Sequence, residues 1–369
     1  MDGRAVDHRS AGVNRMFFFA IGAHPPWTEG RKNLVRDYVE EFSARGLDVQ
    51  LISGSSGWFA GQVIRAFSDL LRSLRTAAPQ CLVHFPHGRF TGWRGFANRC
   101  ISYLVRKIAR WYGVPMLTVL YSADGLLLSA AKRLFGPVAA VGVSGAEVVS
   151  LPLATRVRCM RVAPDAIPGV FRVLFLCGYQ RASRDVLDGL LHERGLARLL
   201  MACRGLEERV ALTVAVPLLR EPWARSYLAS KAKALCPSLR VDFVENGDPH
   251  ALLAESDLFV FPYAVEHEVF VPTSLLEAMM VGVPAVASDR RMYRSLTVAG
   301  GVARCELALD DSVAALHEAL RRVLDDYPMA VKRAIDARTW CTEHWSIQHS
   351  ADELLRAVSA AVFAQRREA

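Results

Sequence analysis

The chain has 369 residues, 52% of them hydrophobic and 22% charged, which favours two well-cored globular domains and excludes extensive disorder. Its 45 Lys+Arg against 37 Asp+Glu leave a net charge of +8, and the excess is local: residues 70–123 hold no Asp or Glu but carry Arg72, Arg75, Arg89, Arg94, Arg99, Arg106, Lys107 and Arg110. The balanced remainder argues against a protein that coats nucleic acid over its whole surface.

Residues 1–14 are polar and small and are expected to form a flexible N-terminus. The run at 16–23 (MFFFAIGA) has the length of a signal h-region, but Asp2 and Asp7 spoil the preceding n-region and an amphipathic pattern follows. It reads as a first strand, at 17–21. Leu34, Val35, Tyr38, Val39 and Phe42 then share one helical face that stops at Arg45-Gly46. Further strands are expected at 49–52, 81–85, 116–120 and 139–143, with helical patterns between them. Such alternation implies βαβ units and a parallel sheet covered on both faces.

The segment at 88–113 (GRFTGWRGFANRCISYLVRKIARWYG) stands apart. Ile101, Leu104, Val105, Ile108, Trp111 and Tyr112 are expected on an apolar face, with Arg99, Arg106, Lys107 and Arg110 mostly elsewhere. This is either an ordinary domain helix with a solvated basic back, or an interfacial face that meets anionic lipid with Trp93, Phe96, Trp111 and Tyr112 at headgroup depth. No recognised module supports nucleic-acid binding.

Two prolines and a glycine at 164–171 (PDAIPGVF) mark a domain boundary, giving domains at 15–168 and 169–345. Strands at 173–176, 212–216, 241–244, 258–261 and 285–287 repeat the rhythm, punctuated by Pro217, Pro249 and Pro284. The last residues, 346–369, read as a C-terminal helix that packs back on the first domain. Two doubly wound α/β domains of this kind are expected to face a cleft, with ligands beyond the carboxyl ends of the strands.

The most informative stretch is 259–289 (FVFPYAVEHEVFVPTSLLEAMMVGVPAVASD): a strand, an acidic loop, a helix starting near Ser274, a Gly-Val-Pro break and another strand. Ser274 and Glu277 fit a capping box. The same geometry also suits an anion: free N–H groups and a partial positive charge at a helix end can seat a diphosphate, while a carboxylate one turn in accepts both hydroxyls of a ribose.

The run P-T-S-L-L-E-A-M-x-x-G-V-P-A-V-A-S-D resembles the nucleotide-sugar signature of retaining GT-B glycosyltransferases, glycosyltransferase family 4 in particular. Residues 173–185 (VLFLCGYQRASRD) are similar to the family's strand, glycine and basic residue six positions on, here Gly178 and Arg184. His24-Pro-Pro-x-x-Glu29-Gly30 resembles its opening loop, and 141–144 and 162–164 resemble the strand and linker that close its first domain. The resemblance implies a GT-B fold of two Rossmann-like domains, acceptor domain first. It also implies transfer of a hexosyl unit from a nucleotide sugar to a lipid-linked acceptor or a polysaccharide or glycoconjugate precursor. Arg184, assisted by Arg181, would neutralise the donor diphosphate where leaving-group charge develops. Glu277 would hold the ribose, and the loop with Val271, Pro272, Thr273 and Ser274 would line the donor, its backbone N–H groups (Pro272 has none) meeting phosphate and sugar.

Two departures from the family pattern matter. Eight residues before Glu277, where the family has a second glutamate, stands Val269, with Glu268 one place earlier and Glu266 three. Either Glu268 swings in through a shifted loop or backbone groups replace it. Six residues after Pro115, where the family often has histidine, stands Tyr121. His24, His84 and His87 lie at expected strand ends and are candidates to line the acceptor side with Glu29, Gly30 and Tyr121. These departures keep one rival open, a catalytically weakened nucleotide-sugar-binding or partner subunit; a GT-B epimerase acting on a nucleotide sugar without an acceptor is a third reading. No Asp-x-Asp motif occurs in a suitable loop, and Asp310-Asp311 reads as an N-cap, so transfer without metal or cofactor is expected. The eight cysteines are scattered and no uncharged apolar stretch reaches the roughly 18 residues of a membrane span. The expected setting is the cytoplasm, with the membrane's inner face as a peripheral partner.

Overall fold

The computed structural model describes residues 13–23, 30–54, 59–86, 92–120, 137–141, 149–151, 154–162, 167–179, 182–245, 247–264, 272–290, 294–299 and 301–368. The chain folds as two compact units. One is built from residues up to Thr155 together with Trp345–Ala369, and the other lies within Arg156 to His344.

The first unit is built from β1 (Arg15–Phe19), α1 (Gly30–Ala44), β2 (Asp48–Ile52), α2 (Phe59–Thr76), β3 (Cys81–His84), α3 (Gly92–Trp111), β4 (Met116–Leu120), β5 (Val138–Val141) and β6 (Val149–Leu151). Its strands form one parallel sheet in the order β2-β1-β3-β4-β5-β6. β1 is buried from Met16 through Phe19 because helices cover both faces. On one face Phe17 and Phe19 pack with Ala66, Leu70 and Leu74 of α2 and Val105 and Ala109 of α3. On the other, Phe18 meets Phe42 of α1 edge-on at 5.9 Å and Phe85 at 5.3 Å.

A distant part of the chain completes that second face. The C-terminal helix Ile347–Glu368 packs against α1, β3, β4 and β6. The Tyr38 hydroxyl lies 2.6 Å from Ser350 Oγ. Arg45 donates to Asp352 at 2.6 Å and to the Gln348 carbonyl at 3.0 Å. Leu354, Val358 and Ser350 are fully buried there.

The second unit comprises β7 (Phe171–Leu176), α4 (Arg184–His192), α5 (Leu196–Ala202), β8 (Val210–Ala215), α6 (Pro222–Leu235), β9 (Arg240–Val244), α7 (Pro249–Glu255), β10 (Leu258–Phe261), α8 (Thr273–Val281), β11 (Ala285–Ser288), α9 (Arg294–Thr297), the small pair β12 (Val298–Ala299) and β13 (Val302–Ala303), β14 (Glu306–Ala308), α10 (Val313–Asp325) and α11 (Tyr327–Trp345), so that the C-terminal helix is α12. Its six-stranded parallel sheet runs β14-β11-β10-β7-β8-β9. Two doubly wound α/β sheets are therefore present, as the alternating periodicity predicts. The edge strands β6 and β14 have three residues each, too short to leave a periodic trace.

The first unit ends at Thr155, ahead of the proline-rich stretch at 164–171. The reason is Arg161, which is buried in the second unit. It donates through Nε to the Ser256 carbonyl at 2.9 Å, and through Nη2 to the Tyr327 hydroxyl at 2.7 Å and Asp257 at 3.2 Å. Asp257 also accepts from the backbone N–H and side chain of Arg172 at the start of β7.

Candidate active site

Within the second unit, the strand order reverses between β7 and its neighbour β10. At such a switch point two loops leave in opposite directions and open a crevice beyond the carboxyl ends of the strands. Gly178 follows β7 there, Pro262 follows β10, and the helices α4 and α8 begin just beyond.

Arg184 is the first residue of α4. Ser183 caps that helix with extended backbone, φ −143°, its hydroxyl accepting from the Val186 N–H at 3.3 Å. The Arg184 side chain is exposed and pairs with no acid among the described residues. Asp188, a rival partner on sequence, instead accepts from the Tyr227 hydroxyl at 3.2 Å. A cation at the positive end of a helix is electrostatically disfavoured unless an anion faces it.

The capping box at Ser274 is not formed. Pro272 is the N-cap of α8, with no side-chain cap, and Ser274 is already the second residue of the helix. The first-turn N–H groups of Thr273 and Ser274 are therefore left for something other than a side-chain cap. Freed from capping, Glu277 turns inward and is 7% exposed among Leu275, Leu276 and Ala278. Its Oε1 lies 3.9 Å from Nε2 of His250, an equally buried residue in the first turn of α7. The Arg158 backbone N–H donates to His250 Nδ1 at 3.3 Å. That bond places the proton of the neutral ring on Nε2, toward the carboxylate. Asp248, the N-cap of α7, accepts from the His250 N–H at 3.0 Å. Sequence reasoning missed His250: a lone histidine in a short helix carries no periodic or motif signal.

Arginines hold the chain where it leaves β10. Arg198 donates to the Pro262 carbonyl at 2.7 Å, and Arg290 donates to the Tyr263 carbonyl at 3.2 and 3.1 Å and also to that of Ala264. Both guanidinium groups pair with Asp311, Arg198 at 2.9 Å. Asp311 is thus an anchor rather than an N-cap; Ser312 caps α10, accepting from the Ala315 N–H at 3.0 Å. Partial burial raises the Asp311 carboxyl, but Arg290 and Arg198 outweigh it and hold the group below its ordinary value. Arg194 lies over the Tyr263 ring at 4.5 Å and donates to the Tyr179 hydroxyl at 3.1 Å. Burial pushes the Tyr263 phenol well above its ordinary value, so it stays neutral. Gly195 is required beside this loop: its φ is +75°, and a Cβ would sit 1.8 Å from the Pro262 carbonyl oxygen.

The structure thus brings Gly178, Arg184, Pro272, Thr273, Ser274 and Glu277 into one unit, around one switch point. Arg181, Glu268 and Val271 fall outside the described residues, as do His24, Glu29, His87 and Tyr121 from the acceptor side; Gly30 is the first residue of α1. His84 does not line a site. It is 1% exposed, with Nε2 2.9 Å from Ser102 Oγ and Nδ1 3.3 Å from the Phe19 carbonyl. Among the described residues no group of His, Cys, Asp and Glu has the arrangement of a metal site.

Residues 188–340 match the family model of glycosyl transferases group 1. The fold is also that of HepE from Anabaena, solved with UDP and glucose, at 14% identity and a TM-score of 0.65, covering 94% of this chain and 99% of that one. The matched stretch is thus similar to group 1 glycosyltransferases, and the fold is that of GT-B proteins. A glycosyltransferase from Rickettsia africae is similar at 12% identity and a TM-score of 0.66, covering 95% of this chain and 99% of that one. The catalytic domain of starch synthase IV from Arabidopsis thaliana, bound to ADP and acarbose, is similar at 10% identity, a TM-score of 0.64 and the same coverage. No curated protein sequence matches the chain.

Proposed function

We propose that the protein is a retaining glycosyltransferase that moves a hexosyl unit from a nucleotide sugar to an acceptor, without a metal ion. One observation carries this reading: Glu277 is buried one turn inside a helix that has no side-chain cap. A carboxylate there can accept both ribose hydroxyls of a nucleotide while the open amides of Thr273 and Ser274 meet its diphosphate. Arg184 supplies the countercharge as the glycosidic bond breaks and negative charge collects on the leaving diphosphate. Gly178 keeps the turn after β7 free of a side chain, and Arg181, Glu268 and Val271 complete the donor site. His250 faces Glu277 across 3.9 Å with its Nε2 and favours the charged carboxylate electrostatically. The acceptor is a lipid-linked or glycoconjugate precursor, addressed from the first unit through His24, Glu29, Gly30, His87 and Tyr121.

Two features support the chemistry and its setting. The match to the group 1 model spans the helix bearing Glu277, and HepE was solved with UDP-glucose as well as with UDP. All eight cysteines are unpaired, which suits a reducing cytoplasm. A thermal-shift panel of nucleotides and nucleotide sugars tests the reading, because ligand binding to the native state raises its stability by mass action. The best donor is expected to raise Tm in the intact chain and to do so far less in Glu277→Ala and Arg184→Ala. Unchanged binding in both variants would sink the assignment. Binding without transfer or hydrolysis of any donor would mark a binding subunit, and an epimerised donor seen by NMR would mark an epimerase.

A further inference from the structure

α3 does not have the simple two-sided character its sequence suggests. Val105 and Ala109 are buried in the first unit's core, with Ile101, Ile108 and Tyr112 packed against it. Leu104 and Trp111, expected on that same face, point outward instead: Leu104 is 50% exposed and Trp111 88%. With Phe96 and Tyr103 they form a second apolar row, directed away from the core. Lys107 and Arg110 are exposed within the same row. At about 100° per residue, the positions from Phe96 to Trp111 fall within about 120° of the helix circumference and run for roughly 22 Å. Arg99 and Arg106 border the stripe. Lys107 sits over the Tyr103 ring at 5.4 Å and Arg99 over Phe96 at 6.0 Å.

A solvated helix back would be polar, and an ordinary protein interface is depleted of lysine. Aromatic rings and leucine interleaved with cations, in a stretch of 54 residues (70–123) without one acid, complement a surface that is apolar just below a layer of negative charge. Partial burial and, after it, the charge of Arg110 hold the Arg106 guanidinium below its ordinary value.

We propose that the outward stripe of α3, formed by Phe96, Tyr103, Leu104, Lys107, Arg110 and Trp111, docks the protein flat on an anionic lipid bilayer. The aromatic rings and Leu104 enter the headgroup region and the cations meet lipid phosphates. No helix among the described residues is long and apolar enough to cross a membrane, so the attachment is peripheral. It is independent of the donor site.

Flotation of the full chain with vesicles tests this. Vesicles of phosphatidylcholine containing about 30 mol% phosphatidylglycerol should carry the protein with them, whereas phosphatidylcholine alone should not. Neutralising two cations in Lys107→Gln/Arg110→Gln is expected to weaken binding about tenfold or more, and the apolar double variant Leu104→Ser/Trp111→Ser comparably. Both variants should keep the Tm and the nucleotide response of the parent. Cys100 lies exposed within the arc of the stripe, while burial pushes Cys81, Cys203, Cys305 and Cys341 up to about 12. In a Cys159→Ser background, a polarity-sensitive thiol dye on Cys100 should shift to the blue on anionic vesicles only. Equal binding to neutral and anionic vesicles, or no binding to either, would overturn the proposal. So would retention of binding by Lys107→Gln/Arg110→Gln. Binding to heparin that Leu104→Ser/Trp111→Ser leaves intact, in a chain that ignores vesicles, would assign the stripe to a soluble polyanion. Self-association lost in that variant would assign it to a second copy.

Discussion

The inward arginines of the second unit and the cations of α3 in the first serve opposite purposes. In the second, Arg161, Arg194 and Arg198 are turned inward and hold backbone carbonyls, tyrosines and acids around one sheet. In the first, whose sheet is held by phenylalanine packing and by α12, the cations of α3 stay outside. A buried guanidinium with fixed partners positions a loop to within a hydrogen bond, which a donor site needs. A solvated cation on a flexible stem adapts to whatever anion approaches. Equal charges in one chain therefore serve rigidity in one place and adaptability in the other.

The sharpest way to break that contrast is Asp257→Ala. It would leave Arg161 buried without its carboxylate, at a cost of about 3–5 kcal/mol, visible as a lower urea midpoint. The same measurement on Arg110→Ala should move by no more than about 0.5 kcal/mol. Next in size is Arg184→Ala, expected to lower kcat by roughly 10²- to 10³-fold with stability unchanged, since the side chain is exposed and has no described acid to lose. His250→Ala should weaken nucleotide binding by about tenfold, the size of one partly buried electrostatic contact with Glu277. His250→Gln, which keeps an N–H donor, should recover part of it; a loss confined to Tm would mean that His250 only fills space.

Acid pH gives the mildest test. The folded-state value of Asp311 is depressed, so its contribution is present above the ordinary carboxylate value of about 3.9 and is lost as pH falls through the folded value. The second unit should therefore lose stability below about pH 4, and Asp311→Asn should flatten that limb while lowering stability at pH 7. An unchanged acid limb in Asp311→Asn would remove the carboxylate from the anchoring of the β10 loop.

Much of this was legible in the amino-acid order. The alternation of short apolar runs with helical stretches is a direct imprint of parallel strands buried on both faces, and both sheets follow from it. The run containing Glu277 reads as a helix and the structure has one there, at Thr273–Val281, but without the capping box that Ser274 and Glu277 suggest. Pro272 takes the N-cap position, and which residue caps a helix depends on where the chain enters it. Leu104 and Trp111 misled for a related reason: periodicity says that an apolar residue lies on a stripe, not which of two stripes the core takes. His250 was invisible because its partners, Glu277 and the Arg158 amide, are far from it in sequence. Asp257 and Asp311 likewise acquire their roles only from arginines tens of residues away.

The packing of α12 on the first sheet also has a consequence for biosynthesis. Residues 156–344 leave the ribosome as a nearly contiguous block and can close their own core, whereas the first unit, though made earlier, lacks a wall until α12 emerges. At about 5–20 residues per second, the roughly 200 intervening residues take on the order of 10–40 s. Throughout that interval the α12-facing side of Tyr38 and of the strands beneath it is exposed to solvent or to chaperones. The unit translated first is the one completed last.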